Sequence, residues 1–241
     1  MKGITEVDII ILSYAYNAAL KLMTENCIHS LMDSEDRDKI KFNVIVIESE
    51  RTLDGHQYEN SVTLYPDMDF GYNKFMNIGI ELTSSKYLCL CNNDLIFHTN
   101  WATEILIAFD TYYDLSSASP LSPSHHEGLG FHFNTGIYPG YRNRYEIAGW
   151  CLFLKRDVLR LTGSLDENFT FWCADNDYAN LMASLHLGHA LVTSSIVEHL
   201  GSATSDVNFM LSKLELTSNE FFYLEKKWNS RMGQGWKLIA P

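Results

Sequence analysis

Lys86-Tyr87-Leu88-Cys89-Leu90-Cys91-Asn92-Asn93-Asp94-Leu95-Ile96-Phe97 is an apolar run broken by one polar triplet, and its reading decides the fold. An apolar segment of this length reads as a buried strand, and strands buried inside parallel sheets are apolar on both faces. Asn92, Asn93 and Asp94 then stand at the strand's exit, where open α/β sheets bind their ligands. A carboxylate there is a hard oxygen ligand suited to a divalent metal that holds phosphates. The triplet also suits an Asx turn, so the choice falls to the neighbouring segments.

Upstream, Val7-Asp8-Ile9-Ile10-Ile11-Leu12-Ser13-Tyr14 reads as a strand whose apolar core stops at Ser13. Leu20, Met23, Cys27, Ile28 and Leu31 have helical spacing, predicting a helix from about Asn17 to Met32. Asn43-Val44-Ile45-Val46-Ile47-Glu48 is a second strand, ending on a carboxylate. Strand, helix, strand in that order implies a right-handed parallel crossover. Val62 to Tyr65 is a short third strand, and Gly71 opens a helix through Ile80 whose first turns carry Asn73, Lys74 and Asn77.

Downstream, Trp101 to Tyr113 is predicted helical. Asp114 to Glu146 contains Pro120, Pro123, Pro139, His125, His126, His132, Arg142 and Arg144 and reads as loop with short irregular strands. Regular structure returns at Ile147 to Lys155, then a helix from Arg156 to Leu161 closed by Gly163. A helix from Tyr178 to Leu187 is stopped by Gly188, and a strand from Ala190 to Val197 ends at Glu198-His199. The tail from Asn208 to Trp228 has helical periodicity and a basic end at Lys226 and Lys227. The pattern predicts one α/β domain with a mostly parallel central sheet flanked by helices.

A formal charge of −12 over 241 residues disfavours extended nucleic-acid binding, which needs a basic face. No segment reaches the ~18 to 20 apolar residues needed to cross a bilayer. Cys27, Cys89, Cys91, Cys151 and Cys173 form no C-x-x-C pair, and Cys89 and Cys91 would share one strand face as buried thiols. These features together predict a soluble cytoplasmic protein.

Glu48, Asp94, Asp175 with Asp177, and His199 all stand at strand or loop exits. In a parallel sheet such exits lie along one edge and can converge. An Asp and a His are compatible with Mn²⁺ or Mg²⁺ when diphosphate oxygens and water complete the shell. Each residue has a plainer reading: Glu48 as a cap, His199 as a hydrogen-bonded core histidine, Asp175 and Asp177 as first-turn acids, Trp172 as packing.

The ordered set Ile10-Ile11-Leu12-Ser13-Tyr14, Val46-Ile47-Glu48, Gly71-Tyr72-Asn73-Lys74 with Asn77-Ile78-Gly79-Ile80, Leu90-Cys91-Asn92-Asn93-Asp94, Gly149-Trp150-Cys151-Leu152-Phe153-Leu154-Lys155-Arg156, Gly163-Ser164-Leu165-Asp166-Glu167-Asn168-Phe169, Ala174-Asp175-Asn176-Asp177 and Val197-Glu198-His199 resembles the family-2 glycosyltransferases of GT-A fold, especially their rhamnosyltransferase-like branch. The resemblance covers about Val7 to Trp228.

That resemblance implies a single GT-A (Rossmann-like) domain over residues 1–241, with a nucleotide-binding half at about 7–100 and an acceptor-binding half at about 101–228. It implies a metal-dependent inverting transfer of a sugar from a nucleoside-diphosphate sugar, a UDP-sugar foremost, to an unidentified hydroxyl acceptor. Glu48 falls where the family has an acid touching the base, with Ser13, Tyr14, Lys74, Asn77, Asn92, Asn93 and Asp94 on the donor side. Asp94 and His199 are the implied ligands of Mn²⁺ or Mg²⁺, and Asp175 the implied catalytic base. Trp150, Trp172 and Asp177 fall on the acceptor side. The sequence departs from the pattern at Asn92, an uncharged first position of D-x-D, and at Cys173 and Ala174. Those departures motivate a second reading, a non-catalytic sugar-nucleotide or glycan-binding module. A nucleotidyltransferase is a third, but the chain lacks a glycine-rich basic loop near its N-terminus.

Overall fold

The sheet begins with β1 (Thr5–Ser13), followed by α1 (Ala18–Asp33) and β2 (Ile40–Glu48). The computed structural model describes residues 3–53, 55–201 and 219–229. β1 is a run of β-branched and leucine side chains that alternate between two cores. Ile9 and Ile11 pack on one face with Cys27, Ile28 and Leu31 of α1, while Ile10 and Leu12 pack on the other. Asn17 caps α1 through its side chain, which accepts from the Leu20 N–H, so the helix starts where its apolar spacing starts.

After β3 (Val62–Leu64), α2 (Tyr72–Glu81) crosses back over the sheet to β4 (Tyr87–Asn92). Gly79 permits that crossing, because a Cβ there would lie 2.6 Å from Ile10 Cγ2. β5 (Leu95–Phe97) and α3 (Trp101–Thr111) follow, then β6 (Leu115–Leu121), α4 (Pro123–His126), β7 (Ile137–Pro139), β8 (Cys151–Lys155), α5 (Leu159–Thr162), α6 (Ala174–Ser184) and β9 (Gly188–His199). Residues 219–228 are also helical; the part of the expected tail helix before residue 219 lies outside the described residues.

The sheet order is β3-β2-β1-β4-β8-β6-β9-β5, with β7 also on β9. β1, β2, β3, β4, β6 and β9 run one way, and β5, β7 and β8 run against them. The result is one α/β domain with a mixed, mostly parallel sheet. α1 and α3 cover one face, and α2 and α6 cover the other.

Three segments differ from expectation. The apolar run at 86–97 is two strands, because the chain leaves the middle of the sheet at Asn93-Asp94 and rejoins it as β5 beside β9. Part of the stretch at 114–146, expected as loop with short irregular strands, is β6, a 7-residue inner strand whose sequence LSSASPL has no strand pattern. Its buried hydroxyls are satisfied by tertiary partners: Ser117 Oγ lies 2.7 Å from His189 Nδ1, and Ser119 accepts from the Ala148 N–H at 2.9 Å. His189 is itself a neutral core histidine, its pKa brought down to about 4 by burial. Third, α6 begins at Ala174, four residues before the expected start at Tyr178, so Asp175 and Asp177 lie in its first turn.

Cys89 and Cys91 do share one face of β4, with sulfurs 3.4 Å apart, and Cys151 of β8 lies 3.7 Å from Cys89. All five cysteines are buried and unpaired, and burial pushes the Cys89 and Cys91 thiols well up. A thiol reagent such as DTNB is therefore expected to leave all five unmodified in the native protein and to titrate five after denaturation. Rapid native labelling would contradict this packing. Among the described residues no helix is long and apolar enough to cross a membrane.

Candidate active site at the strand exits

Strand register assembles the first part of the site. β1 pairs with β2 so that Ser13 stands beside Glu48, and with β4 so that Leu12 stands beside Asn92. β5 pairs with β9 so that Leu95 stands beside His199. That register carries Asp94 to His199, and the two side chains meet with Oδ2 3.2 Å from Nε2. The Leu200 N–H donates to the Asp94 carbonyl at 2.9 Å, fixing the junction. Among the described residues Asp94 Oδ1 is buried without a hydrogen-bond partner. A buried carboxylate oxygen left unpaired beside an imidazole nitrogen is a donor set that fits a hard divalent cation.

The ring of Trp150 stacks on His199 at 4.6 Å and 3°, which fixes the imidazole plane. His125 and His126 meet the same indole from other sides, at 5.0 and 5.8 Å. Among the described residues, the group of three or more metal-capable side chains is instead Cys89, Cys91 and Cys151, with ligand atoms within 4.8 Å of one another. Soft thiols of that kind do not suit Mn²⁺ or Mg²⁺. Asp94 and His199 are thus the pair that could offer two protein ligands to such a cation.

The second part is a cleft of ≈ 190 Å³ lined by Tyr72, Asn92, Trp150, Trp172 and Asp175, among others. Tyr72 leads α2 into it and donates its hydroxyl to Asn92 Oδ1 at 3.3 Å. Its phenol is pushed up by burial and by the nearby Asp175 and Asp94 carboxylates, so Tyr72 links the two halves of the site. Asp175 is partly buried, and burial raises its pKa above the usual carboxylate value against the opposing hydrogen bonds of Asn143 and the Asn176 amide. Its side chain packs on Gly149, where a Cβ would lie 2.6 Å from Asp175 Cβ and 2.9 Å from Oδ2. Gly149→Ala is expected to displace that carboxylate and to lower the thermal midpoint, since the added methyl overpacks the contact. Thermal melts of the variant and the wild type check this; an unchanged midpoint would contradict it.

Other expected site residues lie elsewhere. Glu48 is 0% exposed. Its Oε1 accepts from the Ala15 and Glu50 amides at 3.1 and 2.8 Å, and its Oε2 from the Ser13 and Tyr58 hydroxyls at 2.7 and 2.9 Å. Asn93 donates to Thr24 Oγ1 at 2.9 Å and Ser13 Oγ at 3.3 Å, joining the same network. Ser13, Glu48 and Asn93 therefore tie three strand exits together from inside. Tyr14 is exposed beside them, its ring 5.2 Å from Tyr16. Asn77 exchanges hydrogen bonds with Leu165, and Lys74 donates weakly to the Asp69 carbonyl, so neither joins the cleft. Asp177 is held by Lys227 and by the Trp228 indole N–H, which identifies it as an anchor of α6.

Sequence reading missed Tyr72 and Tyr58 as site-forming residues. A tyrosine directly after Gly71, leading a helix that points at the triplet, was the available signal for Tyr72. Tyr58 had none, since its partner is ten residues away across a turn.

The fold has a counterpart among solved structures. One described as GalNAc-T7 with UDP, GalNAc and Mn²⁺ superposes with a TM-score of 0.64 at 10% identity, covering 93% of this chain. The chain has the GT-A fold. It spans 50% of that neighbour's length. No protein-family model matches the sequence, and no curated protein matches it. The GT-A likeness agrees with the fold expected from the ordered motifs.

Proposed function

We propose that the chain is a metal-dependent inverting glycosyltransferase that uses a nucleoside-diphosphate sugar, a UDP-sugar foremost, and a hydroxyl acceptor. The observation that carries this reading is one continuous site, in which the Asp94–His199 pair adjoins, through Trp150 and Tyr72, a cleft holding a carboxylate of raised pKa. The GT-A neighbour with UDP, GalNAc and Mn²⁺ supports the donor and metal classes. Affiliation with the rhamnosyltransferase-like branch of family 2 rests on the ordered motifs.

In this reading Asp94 and His199 hold Mn²⁺ or Mg²⁺. A bound divalent cation supplies charge neutralisation of the departing diphosphate. Asp175 accepts the acceptor's hydroxyl proton as that oxygen bonds to the anomeric carbon, and the bond to the diphosphate breaks with its electron pair leaving on phosphate. Attack opposite the leaving group inverts the sugar. Trp172, 42% exposed on the cleft rim, offers an aromatic face to a sugar ring. Residues of the first half, with Tyr14 exposed beside the strand exits, bind the nucleotide, and Glu48, Ser13 and Asn93 shape that end from within.

A thermal-shift screen of nucleoside diphosphates and their sugars, with and without Mn²⁺, tests this reading. The expected result is stabilisation by a nucleotide sugar that depends on Mn²⁺, followed by release of the nucleoside diphosphate. Stabilisation without release on prolonged incubation with acceptors would favour the binding-module reading.

A further inference from the structure

The residues around Asp175 are gripped by a segment distant in sequence. Thr170, Phe171 and Trp172 present three successive backbone N–H groups to the carboxylate of Glu220, at 2.9 and 3.0 Å to Oε1 and 2.5 Å to Oε2. The Thr170 hydroxyl donates to the same Oε1. Successive amides of this kind form an anion-binding concavity, and here a carboxylate of the same chain fills it. Glu220 is 4% exposed, so these are charge-assisted hydrogen bonds with little competition from water.

The turn so held is the one that presents the cleft's key groups. Its next residue, Cys173, takes the left-handed conformation (φ 62°) and starts α6, with Asp175 in the first turn. On its other side the Tyr72 N–H donates to the Thr170 carbonyl at 2.7 Å. The same helical segment grips both flanks: Lys227 Nζ reaches Asp166 Oδ2 at 2.8 Å and Asp177 Oδ2 at 2.9 Å, and Leu224 packs on Phe169 and Cys173.

We propose that Glu220 is a positioning residue, and that residues 219–229 form a latch whose carboxylate orders the Thr170–Cys173 turn so that Trp172 and Asp175 face the cleft. Its consequence for turnover rests on the reading of Asp175 as base, whereas the ordering does not.

Hydrogen exchange resolved by residue, on the full chain with Glu220→Gln and Glu220→Ala, tests it. The expected result in Glu220→Ala is exchange at Thr170, Phe171 and Trp172 faster by about tenfold or more, with smaller acceleration in Glu220→Gln. Exchange in the β1 and β4 amides and the affinity for UDP with Mn²⁺ should not move. Where turnover is measurable it should fall as kcat, with donor KM unchanged, a split that general destabilisation would not produce. Unchanged exchange at the three amides in both variants would overturn the proposal. So would acceleration spread over the whole chain in Glu220→Ala with none in Glu220→Gln, since the carboxylate would then serve only overall folding. A wild-type chain without transfer activity, but with the local exchange response intact, would instead overturn the base assignment and leave the latch standing.

Discussion

Asp175→Asn is expected to lower sugar transfer by ~10² to 10⁴, the range that a positioned general base contributes, while binding of UDP with Mn²⁺ stays nearly intact. The amide keeps the shape that packs on Gly149 but cannot take the acceptor's proton. The pH profile carries the same signature. Burial raises the Asp175 pKa, and Asn143, the Asn176 amide and the Arg144 charge only partly offset it. A base must be deprotonated to act, so activity should be full above this raised pKa and fall as pH drops through it. The acid limb should therefore lie above the ordinary carboxylate range and vanish from whatever activity Asp175→Asn retains. Comparable transfer by that variant would refute the assignment.

Asp94→Asn is expected to weaken Mn²⁺-dependent nucleotide binding by more than the ~10 to 100-fold that loss of an outer-shell partner costs. Among the described residues Asp94 Oδ1 is buried without a partner, and Oδ2 stands 3.2 Å from His199 Nε2, so the substitution removes the carboxylate charge where a cation would be held. His199→Ala should weaken the same binding, and the double variant should lose less than the sum of the singles, because the two side chains share one ion. Calorimetric titration of UDP with and without Mn²⁺ reads both effects. Equal affinity in all variants would contradict a shared site.

Much of this fold is legible because its main strands carry continuous apolar runs. Thr5–Ser13, Ile40–Glu48 and Tyr87–Asn92 needed no tertiary information, and their parallel pairing followed from the intervening helix. β6 was hidden because its inner positions are serines, which are acceptable in a core only where His189 and the Ala148 amide satisfy them. The start of α6 was misplaced because Ala174 to Asp177 reads equally well as a polar turn, and Cys173 begins the helix from a left-handed conformation that sequence does not announce. At the site, strand exits allowed Asp94 and His199 to converge and the family resemblance implied them as ligands of one ion; the β5–β9 register is what brings them together. Glu48 shows the converse: an acid at a strand exit looks available to a ligand, yet four internal donors occupy it. The grip of Glu220 and Lys227 on residues 166–177 joins segments some fifty residues apart, which no local pattern encodes.

Anomalous diffraction from crystals soaked with Mn²⁺ and UDP decides whether Asp94 and His199 share one ion. One manganese peak is expected between the Asp94 carboxylate and His199 Nε2, with the diphosphate on its open side. Bound UDP with no peak there, or with the metal seated elsewhere in the chain, would contradict it.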